Sequence, residues 1–78
     1  MLAWAREQLE LAGQIVDNPG GGLLFATQTV GQVRSALNEA DADRWRPVVE
    51  ALDRSEDAMV RRDLQLAGEL LAEAASKL

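Results

Sequence analysis

The second half of the chain contains the feature that most restricts its fold. From Arg44 to Leu78 there is a single proline, Pro47, and a single glycine, Gly68. The other residues are mostly Ala, Leu, Glu, Arg and Gln, which lose little side-chain entropy in a helix. Apolar residues also recur along the stretch with the helical period of about 100° per residue. The whole stretch is therefore predicted to be helical.

Segment 61–63 decides whether this stretch forms one helix or two. Glu56 and Asp63 alone interrupt the apolar stripe, and a carboxylate is rarely buried without a partner. Asp63 also suits the N-cap position of a new helix. We therefore predict a break at residues 61–63. One long kinked helix is the alternative, because no glycine or proline lies between Val48 and Ala67.

Two further helices are predicted in the first half of the chain. In each, apolar residues recur at alternating spacings of three and four. Segment 17–22, DNPGGG, separates them because proline cannot continue a helix and glycine admits positive φ. A phosphate-binding loop would need Lys and Ser or Thr after its last glycine, where Leu23 and Leu24 stand. The β-branched and aromatic residues of LLFATQTV, 23–30, leave a strand as the alternative for that segment.

The connection between the second and third helices is acidic. Asp41 or Asp43 is predicted to cap the third helix, and Pro47 is acceptable in a first turn. A calcium-binding loop would need a bidentate Glu at its twelfth position, and the twelfth residue counted from Asp41 is Leu52. The acidic residues are therefore interpreted as helix-capping residues.

These patterns predict an all-α fold, a small bundle of two helical hairpins in which residues 1–78 form one domain. The helices are placed at Leu2–Val16, Leu23–Ala40, Arg44–Val60 and Leu64–Lys77. The predicted core is apolar and draws on every helix: Leu9, Ala12, Val16, Val30, Val33, Leu37, Trp45, Val48, Leu52, Met59, Leu66, Leu70 and Leu71.

Segment Asp63–Ala74, DLQLAGELLAEA, resembles the second half of a tetratricopeptide repeat, in which an Asp opens a helix with Ala and large apolar residues at fixed steps. The preceding helix departs from that pattern, because Ala51, Ser55 and Ala58 stand where Trp, Gly and Tyr are expected. The resemblance implies two helical hairpins side by side, and we do not assign the chain to the family.

Several chemistries lack the residues they need. The chain contains no histidine, cysteine or tyrosine, which removes the commonest general base, the thiolate nucleophile and nearly every zinc, copper or haem site. Glu56 and Asp63 lie about 10 Å apart along a helix, too far to act together. We expect no enzymatic activity, no metal, no cofactor and no small-molecule substrate.

The charge balance bears on the partner. Thirteen acidic residues oppose eight basic ones, whereas nucleic acids and anionic membranes attract clustered positive charge. No apolar run approaches the length of a bilayer span, and no basic region precedes an apolar one at the N-terminus, so a cytoplasmic protein is expected. A DNA-binding regulator of helix-turn-helix type is the alternative, in which Arg44, Arg46 and Arg54 would face phosphates.

The predicted function is a protein–protein interaction module, such as an adaptor or a small antitoxin-like inhibitor, that binds through an apolar helical face. Leu24 and Phe25 project away from the seam of their helix, where they either cover the glycine loop or form an exposed anchor. The candidate partner-binding residues are Trp4, Leu24, Phe25, Leu66, Leu70 and Leu71.

A homodimer is also predicted. The apolar stripes of the last two helices are nearly collinear and would leave one long edge uncovered, which a second copy could cover through a two-fold interface. That interface would depend on Leu66, Leu70 and Leu71.

Overall fold

Four helices form in the computed structural model, which describes residues 1–78. They are α1 (Leu2–Asp17), α2 (Leu23–Asp41), α3 (Arg46–Val60) and α4 (Leu64–Ser76). The predicted all-α fold is confirmed, and every predicted boundary lies within two residues of the observed one. The strand alternative for 23–30 is wrong, because the seam of α2 continues through that segment.

The helices close into a ring. Each packs against its neighbour in sequence, and α1 packs against α4. Short connections make successive helices antiparallel, so the α1–α2 loop and the α3–α4 turn lie at the same end of the bundle, which we call the loop end. The bundle measures 33 × 20 × 18 Å.

The core runs along the axis of the ring and contains residues from every helix. Its members are Ala5, Leu9, Ala12, Val16, Ala26, Val30, Val33, Leu37, Trp45, Val48, Ala51, Leu52, Ala58, Met59, Ala67, Leu71 and Ala74. All but one of the predicted core residues are buried. Leu66 is the exception, with 39% of its surface exposed. The buried arc of α4 is centred on Ala67 and Leu71, and Leu66 projects about 100° away from Ala67.

The predicted break at 61–63 is confirmed, and it is a backbone turn. Arg62 adopts the left-handed conformation, with φ of 65°. Its amide donates to the Met59 carbonyl (3.1 Å), and the Asp63 amide donates to the Ala58 carbonyl (2.9 Å). This pair of bonds is the Schellman pattern that ends a helix. Asp63 then caps α4, since its carboxylate accepts the Leu66 amide at 3.3 Å.

Replacing Arg62 with glycine is expected to stabilise the protein. Arg62 is the one non-glycine residue with positive φ, and a Cβ in that conformation costs about 1 kcal/mol, which glycine avoids. We expect Arg62→Gly to gain roughly 0.5–1 kcal/mol, which raises the melting temperature by about 2–8 °C in a domain of this size. Arg62→Ala is the matched control, because it removes the same guanidinium and keeps the Cβ. Equal stability of the two variants would contradict the left-handed turn.

The predicted cap of α3 is wrong. The N-cap residue is Trp45, and no side chain bonds to the first amides of the helix. Asp41 ends α2, and its carboxylate accepts the Arg44 amide at 3.1 Å. Asp43 pairs with Arg46 at 2.6 Å. A side-chain cap is absent because residues 42–45 form a turn that stays close to helical: the Trp45 amide donates to the Asp41 carbonyl at 3.1 Å.

Candidate interaction surface

An apolar groove lies at the loop end of the bundle. Its rim carries the two most exposed large apolar side chains of the protein, Leu24 (71%) and Val60 (70%). The groove has a volume of about 600 Å³. We call it the loop-end groove, and its lining consists of Pro19, Gly20, Gly21, Leu23, Leu24, Thr27, Met59, Val60, Arg62 and Leu64. Three helices, one loop and one turn therefore contribute to a single concave surface.

The glycine loop holds one side of this groove in place. Gly20 adopts φ of 53°, which lets the chain reverse after Pro19. The Gly22 amide then donates to the Pro19 carbonyl at 2.6 Å. A Cβ on Gly22 would lie 3.2 Å from Cγ2 of Ile15, so a larger residue at this position would require the Ile15 side chain to shift. The first turn of α2, which carries Leu24, starts from this fixed point.

The floor of the groove is also well packed. Met59 is fully buried. The hydroxyl of Thr27 donates to the Leu23 carbonyl at 2.9 Å and lies 3.6 Å from the Met59 sulfur. On the rim, the Arg62 guanidinium donates to the Met59 carbonyl at 3.4 Å. The groove is therefore present before any partner binds.

A second depression continues from the first between α2 and α3. Thr27 and Val60 line both. The second depression has a volume of about 400 Å³, and its other lining residues are charged: Asp53, Arg54, Glu56 and Asp57. We call it the acidic groove, because three of these four residues are carboxylates.

One ion pair fixes the position of α2 against α3 beside the acidic groove. Nε of Arg34 donates to Oε1 of Glu56 at 2.8 Å, and Nη2 donates to Oε2 at 3.4 Å. Both side chains are partly buried. The hydrogen bond to Glu56 raises the pKa of Arg34 above its usual value, and the charges of Glu56 and Asp53 act in the same direction. Glu56, which interrupts the apolar stripe of α3, therefore has a partner.

A double-mutant cycle of Arg34→Met and Glu56→Gln is expected to show a coupling free energy of about 1 kcal/mol, at the upper end for exposed pairs. The exposed Asp57–Arg61 pair, at 2.9 Å, is the comparison and should couple by less than about 0.5 kcal/mol. A raised arginine pKa means that the contribution is complete below the unfolded-state pKa and is lost only as pH rises through the folded-state value. Urea unfolding at neutral and mildly alkaline pH should thus give the same coupling, and a loss at mildly alkaline pH would contradict the pairing.

The predicted anchor residues lie on the surface. Leu24 borders the loop-end groove, and Phe25, 54% exposed, lies just outside its lining. The alternative in which the two side chains cover the glycine loop is wrong, because a covering side chain would itself be largely buried. Their role in binding stays a prediction.

The other predicted partner-binding residues do not join this surface. Trp4, 38% exposed, lies in the first turn of α1, at the opposite end of the bundle. Leu66 borders another depression, on the outer side of α3 and α4, which shares Arg54 and Asp57 with the acidic groove but no residue with the loop-end groove. Leu70 and Leu71 are buried in the monomer. Because the turn at 61–63 folds α4 back against α3, the long apolar edge that motivated the predicted homodimer does not form. Self-association itself stays a prediction.

Val60 was missed as a surface residue by the sequence pattern. In helical projection Val60 falls on the apolar side of the third helix, together with Leu52. The projection does contain a signal, since Val60 lies about 80° from Leu52 at the edge of that arc. It is also the last residue of α3, where no further turn covers it.

Two of the three arginines considered for phosphate binding have local partners. The Arg44 guanidinium lies 4.8 Å from the ring centre of Trp45, and Arg46 pairs with Asp43. Arg54 faces the acidic groove. The helix-turn-helix alternative stays a prediction, and no contact in the structure favours it.

No group of three His, Cys, Asp or Glu side chains is arranged to hold a metal ion. None of the four helices has both the length and the apolar character that a bilayer span requires.

No protein-family model matches the chain, and neither a curated protein nor a solved structure is similar to it. The geometry of the grooves is therefore the basis for any functional proposal.

Proposed function

We propose that the protein is a non-enzymatic, cytoplasmic protein–protein interaction module that binds an apolar segment of its partner in the loop-end groove. One observation carries the proposal: Leu24 and Val60, from different helices, are the most exposed large apolar residues and border the same groove. Exposed apolar side chains around a concave surface are typical of sites that bind a helix or peptide.

The packing of the groove supports this proposal. Two contacts hold the two sides of the groove before binding: the hydrogen bond from Gly22 to Pro19, and the contact of Thr27 with Met59. A preformed groove loses less conformational freedom when a partner binds, so more of the contact free energy appears as affinity. An adaptor or a small antitoxin-like inhibitor would use such a surface, and the net charge of −5 suits a basic partner.

The test is the double variant Leu24→Ser with Val60→Ser, which leaves the net charge unchanged. Because both side chains are exposed, we expect the circular dichroism spectrum to be unchanged and the melting temperature to fall only slightly. A partner captured from cytosolic extract by the immobilised wild-type chain should be lost. Leu11→Ser is the matched control, since Leu11 is an exposed leucine of α1 outside the groove.

Three results would contradict the proposal. The first is that the double variant still captures the partner, and the second is that Leu11→Ser loses the partner to the same extent. The third is that the protein binds DNA in place of a protein partner. Sedimentation equilibrium of the wild type and the double variant tests the predicted homodimer separately. A dimer that the double variant abolishes would assign the groove to a second copy.

A further inference from the structure

We infer that the loop-end groove and the acidic groove form one continuous channel, and that its ligand is an amphipathic helical segment with basic residues one and two turns beyond its apolar end. This inference depends on the proposed function and names the chemistry of the partner. It concerns a heterologous partner, not a second copy of the chain.

The two grooves are continuous because Thr27 of α2 and Val60 of α3 line both. On α3, Val60 is followed toward the N-terminus by Asp57, Glu56 and Asp53, also in the lining. These spacings of three, four and seven residues place all four side chains on one face of the helix. The channel is therefore apolar at the loop end and carboxylate-lined farther along α3.

Two of the three carboxylates are available to a ligand. Glu56 is bound by Arg34 at 2.8 Å and is partly buried. Asp57 pairs with Arg61 at 2.9 Å, but both side chains are largely exposed, so this pair is weak and exchangeable. Asp53 is exposed and has no cationic partner within ion-pair distance. Arg54, which also lines the acidic groove, has no carboxylate partner either. The lining as a whole carries three carboxylates and one arginine, and this excess of negative charge favours a cationic ligand.

The spacing of these groups matches a helix. Asp57 and Asp53 lie about 4.5 Å and about 10.5 Å from Val60 along the axis of α3 at 1.5 Å per residue. A helical ligand running along α3 with a leucine beside Val60 would place its residues at i+3 or i+4 and at i+7 opposite the two carboxylates. Arginine or lysine at those positions gives complementary charge.

A second copy of the chain fits this channel poorly. Each copy has a net charge of −5, and a two-fold pairing about the channel would bring the carboxylates of α3 toward their own equivalents. Like charges brought together across an interface oppose association. Charge therefore favours a basic partner over a second copy of the chain, although either could fill the apolar end of the channel.

The experiment uses the full chain and two labelled synthetic helical peptides. One carries leucines at i and i−3 and arginines at i+4 and i+7, and its twin carries glutamates in place of the arginines. Fluorescence anisotropy at low salt should show about tenfold tighter binding of the basic peptide, a ratio that corresponds to two exposed ion pairs together with the repulsion of the acidic twin. The ratio should fall as salt is added.

Two sets of variants locate the effect. Asp53→Asn with Asp57→Asn should reduce the preference for the basic peptide to within about twofold, since the paired charges are lost. Glu7→Gln with Glu10→Gln removes the same charge from the exposed surface of α1 and should leave most of the preference intact. Leu24→Ser with Val60→Ser should abolish binding of both peptides.

The outcomes separate the two proposals. Equal binding of the two peptides, lost in Leu24→Ser with Val60→Ser, would overturn the basic ligand and leave the proposed function standing. The basic ligand would also be overturned if the preference for the basic peptide survived in Asp53→Asn with Asp57→Asn. The same holds if the preference fell equally in the α1 control, because the net charge of the whole protein would then be its cause. Peptide binding that is unchanged in Leu24→Ser with Val60→Ser would overturn the proposed function itself.

Discussion

Replacing Leu52 with alanine is expected to unfold a large fraction of the protein at 25 °C. Leu52 is fully buried in the same core cluster as Leu37 and Met59. Truncating such a leucine costs about 2–5 kcal/mol, from lost burial and from the cavity that remains. A core of this size supplies only about 3–5 kcal/mol in total. Urea unfolding followed by circular dichroism should therefore show a midpoint close to zero denaturant.

Leu24→Ala is the matched control for this variant. It removes the same atoms from a leucine that is 71% exposed, so the free energy of unfolding should change by less than about 0.5 kcal/mol. Similar losses in the two variants would mean that the core is assigned to the wrong face of α2 or α3. Such a result would also remove the basis for the loop-end groove.

Replacing Ser55 with leucine should have the second-largest effect. Ser55 is fully buried between α3 and α4, and its hydroxyl donates to the Ala67 carbonyl at 2.9 Å. Ala51, Ala58 and Ala67 are buried as well, so small side chains let the two helices approach closely. A leucine there must separate the helices or take a strained rotamer, at about 1–3 kcal/mol or more, and it also loses the hydrogen bond.

Ser55→Ala separates the two causes. It removes the hydroxyl without adding volume, and we expect a loss of about 1 kcal/mol from the hydrogen bond alone. Thermal unfolding of both variants should thus rank the wild type above Ser55→Ala and Ser55→Ala above Ser55→Leu. If Ser55→Leu were as stable as Ser55→Ala, α3 and α4 would not be in close contact at this position.

The helices and most of the core could be predicted because their signals are local. Val30, Val33 and Leu37 recur at the helical spacing within one continuous segment, and all three are buried. The role of the small residues could not be predicted in the same way. Ala51 and Ala58 look like neutral helix formers, and only the packing of α4 against α3 makes their size matter.

The turn between α3 and α4 shows where local signals fail. Asp63 could be identified as an N-cap from its chemistry. Nothing in the sequence marks Arg62 for positive φ, because glycine and asparagine are the residues that usually indicate this conformation. The hydrogen bonds from Arg62 to Met59 and from Asp63 to Ala58 hold it there, and these bonds are backbone contacts that no side-chain pattern in the sequence marks.

The candidate site could be predicted only in part for a related reason. Leu24 and Phe25 stood out because they project away from the seam of their own helix. The groove also needs Val60, which lies far away in sequence and reaches Leu24 only through the packing of α2 against α3. Leu70 and Leu71 were predicted both as core and as partner-binding residues, and tertiary packing buries them in the monomer.

The ring of helix contacts also determines how the chain reaches its native state. Three of the four packed pairs join helices that are neighbours in sequence, so most contacts form without closing a long loop, as in the helical domains that fold within microseconds to milliseconds. Only the contact of α1 with α4 joins distant segments. Until α1 docks, a chain with its other three helices assembled exposes Leu71 and the rest of that apolar face. The state in which this face is open is therefore the one from which the protein would aggregate during synthesis or refolding.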